Sequence, residues 1–290
     1  MSVAVWFSNG AASAAALKLA IDRFGLDQVR AINNPVAEED EDNLRFQRDV
    51  SDWLGIEIEQ AFNPRYPDGS AVSVWGVRKG MSFRHGAPCT VHLKKEARQH
   101  WESVNKVDWH VFGFTAEEET RHDRFILTER DNVLPLLIEA GMTKSDCADL
   151  IAGAGIALPR VYAEGYPNAN CIGCVKATSA TYWNLVRRTR PEVFRQRAEQ
   201  SSQLGVRLAR YKGKRIFLDE LPENAVGRPL KTLRMPECGI HCGAQVMAGT
   251  AFVALASAWV GYWFGFMRGA SVTEDTHIDR LRQQETSHDL

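Results

Sequence analysis

Residues 3–24, VAVWFSNGAASAAALKLAIDRF, set a run of apolar residues against a Gly/Ser turn and then an Ala- and Leu-rich stretch. Val3–Phe7 reads as a buried strand, because branched and aromatic side chains follow one another there without a charge. Ala14–Phe24 reads as a helix, with Ser8-Asn9-Gly10-Ala11-Ala12-Ser13 as the turn that joins them. Such a turn lets backbone N–H groups and two hydroxyls wrap a phosphate at a helix N-terminus, although the same composition also serves as a plain connection. It matches neither the Walker A pattern nor the dinucleotide fingerprint, since it lacks GKS/T and further glycines at the required offsets.

The stretches downstream repeat this alternation. Gln28–Asn33 predicts a second strand, Glu38–Leu54 a helix whose acidic first turn suits the helix dipole, and Ile56–Ala61 a third strand. Cys89–Val104 predicts a helix, and Val107–Phe114 a strand running into GFTAEEE at 113–119. Short apolar runs alternating with amphipathic ones indicate βαβ units around a parallel sheet, hence an α/β fold. Farther along, TKSDCADLIAGAGI opens on an N-cap residue and predicts a short helix. SATYWNLVRRTRPEVFRQRAEQ predicts a helix broken near Pro191, and VRLARYKGKRIFLDEL a hairpin turning at Lys212-Gly213. No internal repeat or low-complexity segment interrupts the chain.

The chain has 290 residues, 44% of them hydrophobic, which is enough for a sizeable core and excludes disorder for most of its length. Its 35 basic and 36 acidic residues leave a net charge of −1, so a general nucleic-acid coat is excluded and any such contact must be local. The first residues lack the basic region of a secretory signal, so a cytoplasmic location is expected. The six cysteines then read as thiols, metal ligands or redox groups rather than structural disulfides.

Two cysteine pairs stand out. In Cys171-Ile172-Gly173-Cys174 the two-residue spacing and small Gly let both sulfurs turn toward one metal or cluster. Cys238 and Cys242 form a second pair around His241, in MPECGIHCG at 235–243, where a histidine cation would favour a thiolate. Metal ligation, a redox dithiol and buried inert thiols all remain open for these pairs. Cys147, alone in an amphipathic stretch, reads as core.

Five segments together resemble the phosphoadenosine phosphosulfate reductase family, in its phage-type branch, within the adenine-nucleotide α-hydrolase-like group. They are SNGAAS at 8–13, PCTVHLKK at 88–95, GFTAEEE at 113–119, NCIGCVKA at 170–177 and ECGIH at 237–241. The resemblance spans about residues 3–243 and implies a three-layer, parallel-sheet HUP-type domain over 1–243. It further implies an adenine sulfonucleotide substrate held by Ser8, Gly10, Ser13 and Asn33. Cys238 is implied as the nucleophile, attacking the sulfur of the activated sulfate to give a thiosulfonate, from which a thioredoxin-like thiol releases sulfite. His241 sits beside it, and Lys94, with His92, would supply compensating positive charge. The family's iron–sulfur members imply a [4Fe-4S] cluster on Cys89, Cys171 and Cys174, with Cys242 as the fourth ligand. Thr90 stands where the second cysteine of a CC pair would be, so zinc on Cys171, Cys174, Cys238 and Cys242 is the alternative.

Other positions depart from the family pattern. Ala12 replaces an acidic residue of the phosphate loop, and Gly113–Glu117 replaces an arginine-bearing sulfate segment. An ATP-dependent, pyrophosphate-releasing thiolation enzyme is therefore the rival expectation. In it, RRTRPEVFRQR, with five arginines in residues 187–197, would contact a nucleic-acid phosphate unless it is a solvated helix face. Residues 244–267, AQVMAGTAFVALASAWVGYWFGFM, carry no charge and have the length of a bilayer-spanning helix, but fit a buried helix equally. The expected organisation is thus a nucleotide-binding domain to 243, an apolar helix over 244–268 that would anchor the enzyme to a membrane if it spans, and a polar tail over 269–290. A membrane-tethered binding protein without turnover is the reading from another class.

Overall fold

The computed structural model describes residues 1–83 and 86–230, all within one compact unit. The apolar run 244–267, the tail, and Cys238, His241 and Cys242 lie outside the described residues. Among the described residues, no helix is long and apolar enough to cross a membrane.

Five parallel strands, β1 (Val3–Phe7), β2 (Val29–Asn33), β3 (Ile58–Gln60), β4 (Trp109–Val111) and β5 (Val133–Leu134), form one sheet in the order β3-β2-β1-β4-β5. The alternation of side chains along β1 divides the core. Val3, Val5 and Phe7 face one way, into α1 (Ala11–Phe24), α2 (Asp42–Leu54) and, through Cys147 and Ile151, a later helix at 144–153. Ala4 and Trp6 face the other, into Trp101, Phe112 and Phe125. Two covered faces and a parallel sheet make an α/β fold compatible with three layers, and the parallel sheet is the one expected from the alternating pattern.

Helix α1 has no polar stripe over its first two turns. Ala14, Ala15, Ala16 and Leu17 are fully buried, because small side chains let the helix lie close to β1 and β4. The helix begins at Ala11 rather than Ala14, so half the anticipated turn is helical. In α2 the buried residues Asn43, Phe46 and Val50 share one face, and Gly55, in the left-handed region at φ 63°, ends the helix. Helix α2 starts at Asp42, not Glu38: residues 38–41 form a loop whose carboxylates are used elsewhere.

The remaining helices are α3 (Ala71–Arg78), α4 (Glu96–Val104), α5 (Glu119–Thr128), α6 (Leu136–Glu139), α7 (Lys144–Gly153), α8 (Arg160–Ala163), α9 (Ala180–Thr189) and α10 (Pro191–Gln203). A π-helical turn, Thr90–Lys95, leads into α4. Thr143 caps α7 in a reciprocal capping box with Asp146. Pro191 at the start of α10 separates it from α9, as the sequence predicts. The hairpin β6 (Ala209–Tyr211) and β7 (Lys214–Ile216) turns at Lys212 and Gly213, both at positive φ. A separate hydrophobic cluster joins α3, α9, α10 and the hairpin around Trp75, Tyr182 and Trp183.

On the β4 face, His110 is buried and its Nδ1 accepts a hydrogen bond from Trp6 Nε1 at 3.1 Å. Burial, then the charges of Arg130 and Arg98, push this imidazole down from 6.5 to about 3. The folded state therefore holds a neutral ring that the unfolded chain protonates below 6.5. Stability from this group is complete above pH 6.5 and is lost, at about 1.4 kcal/mol per pH unit, as pH falls toward 3. Between pH 7 and pH 5 the parent chain is expected to lose about 2 kcal/mol more than His110→Gln, read from urea midpoints. Equal losses would show that His110 is not the group responsible.

Candidate functional site

In a sheet ordered 3-2-1-4-5, the connections leaving β1 and β4 diverge, and a crevice opens at their C-terminal ends. The Ser8–Ser13 segment lies at that point. Ser13 is fully buried, and its Oγ accepts from the N–H groups of Ser8 at 3.0 Å and Gly10 at 3.4 Å while donating to the Gly10 carbonyl at 2.9 Å. Ser13 therefore shapes the turn from within. Ser8 Oγ lies 3.2 Å from the same atom. The first N–H groups of α1, at Ala11, Ala12 and Ser13, remain as the anion-attracting end of the helix.

Gly113, just past β4, closes this end from the other side. A Cβ there would lie 2.9 Å from the Ser13 nitrogen and 3.1 Å from the Ala12 carbonyl carbon, both backbone atoms. Gly113→Ala must push the first turn of α1 off the sheet edge, at about 1–3 kcal/mol. A loss of that size in urea unfolding free energy is expected; an unchanged value would show that the turn gives way without cost.

Beside the turn lies a cavity of about 350 Å³ between the ends of β1 and β2 and the loop before α3. Pro35, Val36, Leu44 and Phe62 give it apolar walls, and Asn9, Asn33 and Asn43 give it amides. Asn33 Nδ2 donates to the Phe7 carbonyl at 2.8 Å, tying the ends of β1 and β2 together. Asn9 sits at φ 58°, a left-handed position that asparagine tolerates. The Oδ1 atoms of Asn9 and Asn43 are buried and have no hydrogen-bond partner among the described residues.

Of five successive acids, Glu38 to Asp42, the middle three line this cavity, and all five have partners. Glu38 caps α3, accepting from the Ala71 N–H at 2.8 Å and the Val72 N–H at 3.1 Å. Glu39 pairs with Lys94 at 3.1 Å, both side chains being less than a tenth exposed, and also accepts from Asn9 Nδ2. Asp40, also buried, takes Arg160 at 2.8 Å and Arg190 at 3.0 Å. Burial raises its affinity for a proton, but the Asp42 N–H and the two guanidinium groups outweigh that and hold it below the ordinary carboxylate range. Glu41 reaches Arg160, and Asp42 pairs with Arg45, which holds it at about 2.

Lys94, expected to compensate a substrate anion, thus has its charge opposed by Glu39 and also donates to the Asn34 carbonyl. His92, on the same π-helical turn, meets Glu96 at 3.0 Å. Three of the five arginines of 187–197 are engaged inward, and Arg188 and Arg195 are exposed. Arg187 donates to the Leu221 carbonyl, Arg190 pairs with Asp40 and Glu164, Arg195 pairs with Glu192, and Arg197 is buried.

Cys174 belongs to the cluster around Trp183, and Cys89 and Cys171 pack against it. The Ile172 N–H donates to the Glu38 carbonyl at 3.0 Å, which sets the cysteine turn beside the acidic loop. Gly173 is at φ 69°, and its carbonyl accepts from Arg197 Nε at 3.2 Å. The Cys174 N–H donates to Tyr182 Oη at 3.0 Å. Burial, then nearby Cys174, drive that phenol's pKa upward. No disulfide joins Cys89, Cys147, Cys171 or Cys174. Among the described residues no group of three or more His, Cys, Asp or Glu side chains is placed to hold a metal ion. The described cysteines by themselves therefore do not make a cluster site. Cys147 is core, fully buried.

Sequence reasoning gave Asn9, Glu39 and Asn43 no role of their own. The Asn9-Gly10 dipeptide and the run of five acids were the available signals, but the run also fits an acidic helix start. No protein-family model matches the chain, and a search of curated proteins finds no match.

Proposed function

We propose that the chain is a sulfonucleotide reductase-type enzyme that binds an adenine nucleotide across the C-terminal ends of β1 and β2. The observation carrying this reading is the 350 Å³ cavity beside the Ser8–Ser13 turn at the sheet's switch point. Phe62 and Val36 suit a base, the asparagines suit hydroxyl and amino groups, and the start of α1 suits the 5′-phosphate.

Cys238 supplies the thiol. Leu230 packs on the cluster that contains Val36, itself a wall of the cavity. Eight residues of chain reach at most about 29 Å, so Cys238 has the length to approach the crevice. In the first step its thiolate attacks the sulfonyl sulfur, the S–O bond to the nucleotide phosphate breaks, and AMP leaves with that electron pair. A second thiolate, from a thioredoxin-like donor, then attacks the Cys238 sulfur and expels sulfite. The resulting disulfide carries the two electrons' worth of oxidation that matches sulfate becoming sulfite. Neither step is routed through a metal.

The test mixes purified full-length chain with adenylyl sulfate. A gain of one SO₃ group on the Cys238 peptide is expected, followed by sulfite release when a thiol donor is added. Pyrophosphate release from ATP without an adduct would favour the thiolation reading instead.

A further inference from the structure

Among the described residues, the charged side chains lining the cavity are all of one sign. Glu39, Asp40, Glu41 and Asp68 line it, and no described lysine or arginine does. The described cations that approach these acids come from outside the lining, and they do not balance them. Lys94 answers Glu39, but Arg160 and Arg190 together face Asp40, Glu41 and Glu164. Asp68 has no cationic partner among the described residues; the Ser73 hydroxyl and the Ser70 N–H hold its carboxyl below the ordinary range, so it is ionised at neutral pH.

The neutral groups of the lining are acceptor-rich as well. Asn9 and Asn43, each at least 97% buried, both spend their amide nitrogens on protein oxygens, and both Oδ1 atoms lack a donor. Whatever occupies this space must bring N–H or O–H donors toward the buried asparagines, and negative charge there is opposed by repulsion from Glu39 and Asp40 inside and from the exposed Glu41 and Asp68 at the mouth. Phosphate is tolerable only outside, at the first turn of α1, where the backbone N–H groups lie.

Resting on the nucleotide-binding reading above, we infer that this chain selects nucleotides whose ribose hydroxyls are free: its substrate is a 5′-adenylyl compound, and a 3′-phosphate is rejected by the ring of Glu39, Asp40, Glu41 and Asp68. Selection here works through repulsion of the wrong ligand as much as attraction of the right one. Glu41 and Asp68 are the specificity-determining pair, since Glu39 and Asp40 are committed to Lys94 and to the two arginines.

Calorimetric titration of the full chain with AMP and with adenosine 3′,5′-bisphosphate tests this. AMP is expected to bind at least about fivefold more tightly at low salt, with the ratio shrinking as ionic strength rises. In a Glu41→Gln, Asp68→Asn double variant the ratio should fall toward one through tighter binding of the bisphosphate. A ratio below fivefold in the parent chain, or one indifferent to salt, overturns the inference while leaving nucleotide binding intact. Failure of both ligands to bind overturns the nucleotide reading itself and the inference with it. If the double variant does not fold, the salt dependence in the parent chain decides alone.

Discussion

Cys238→Ser is expected to bind AMP as the parent does, to gain no SO₃ group, and to release sulfite more slowly by on the order of 10³-fold or more. The attack needs a polarisable anion at neutral pH. A thiol reaches that state readily, with an ordinary pKa of about 8.5, whereas a serine hydroxyl has no comparable anionic fraction without a dedicated base. The substitution exchanges one sulfur for an oxygen, so affinity and chemistry are read separately: binding probes the β1–β2 edge, the adduct probes the sulfur. Sulfite release at the parent rate from Cys238→Ser would sink the mechanism, and an adduct found on Cys171 or Cys89 would move the nucleophile. Loss of AMP binding as well would mean that residue 238 serves the nucleotide site rather than the reaction.

Breaking the Lys94–Glu39 pair should have the largest effect on stability. Lys94→Met leaves the Glu39 carboxylate buried with only amide donors, and strips the Asn34 carbonyl of the ammonium hydrogen bond. Removing one member of such a pair costs about 3–5 kcal/mol, because the remaining charge has neither water nor a counter-ion. For a chain of this size that corresponds to a fall in Tm of about 10 °C. The double variant Lys94→Met, Glu39→Gln removes the stranded charge and should recover part of the loss, so the cycle of urea unfolding free energies is strongly non-additive. A single variant within about 1 kcal/mol of the parent would mean that water reaches the pair.

Hydrophobic pattern made the sheet legible. β1, β2 and the helix between them follow directly from Val3–Phe24, and the hairpin from a Lys-Gly turn. Shorter elements escaped for a physical reason: β5 is two residues long and α3 eight, too brief for periodicity to stand out. Helix α2 was extended too far because Glu38–Glu41 carry charges a helix start would welcome. Their actual partners, Arg160, Arg190, Lys94 and the N-terminus of α3, come from as far as 150 residues away, and no local pattern encodes such a meeting. Of the candidate site, the strand-to-helix turn at Ser8–Ser13 was legible because local sequence sets its backbone. The rest was hidden where tertiary contact decides, as when Lys94 turned out to face Glu39 and Ser13 to brace its own turn.

The five-acid loop also constrains how this protein can diverge. Glu38, Glu39 and Asp40 are each matched to distant partners and Glu41 shares Arg160 with Asp40, so exchanging one acid disturbs few contacts, whereas inserting or deleting a single residue between 38 and 41 shifts every later acid out of alignment together. Length, more than composition, is what this loop has to preserve, and an indel here would disturb the contacts to Lys94, Arg160, Arg190 and the Ile172 N–H in one event.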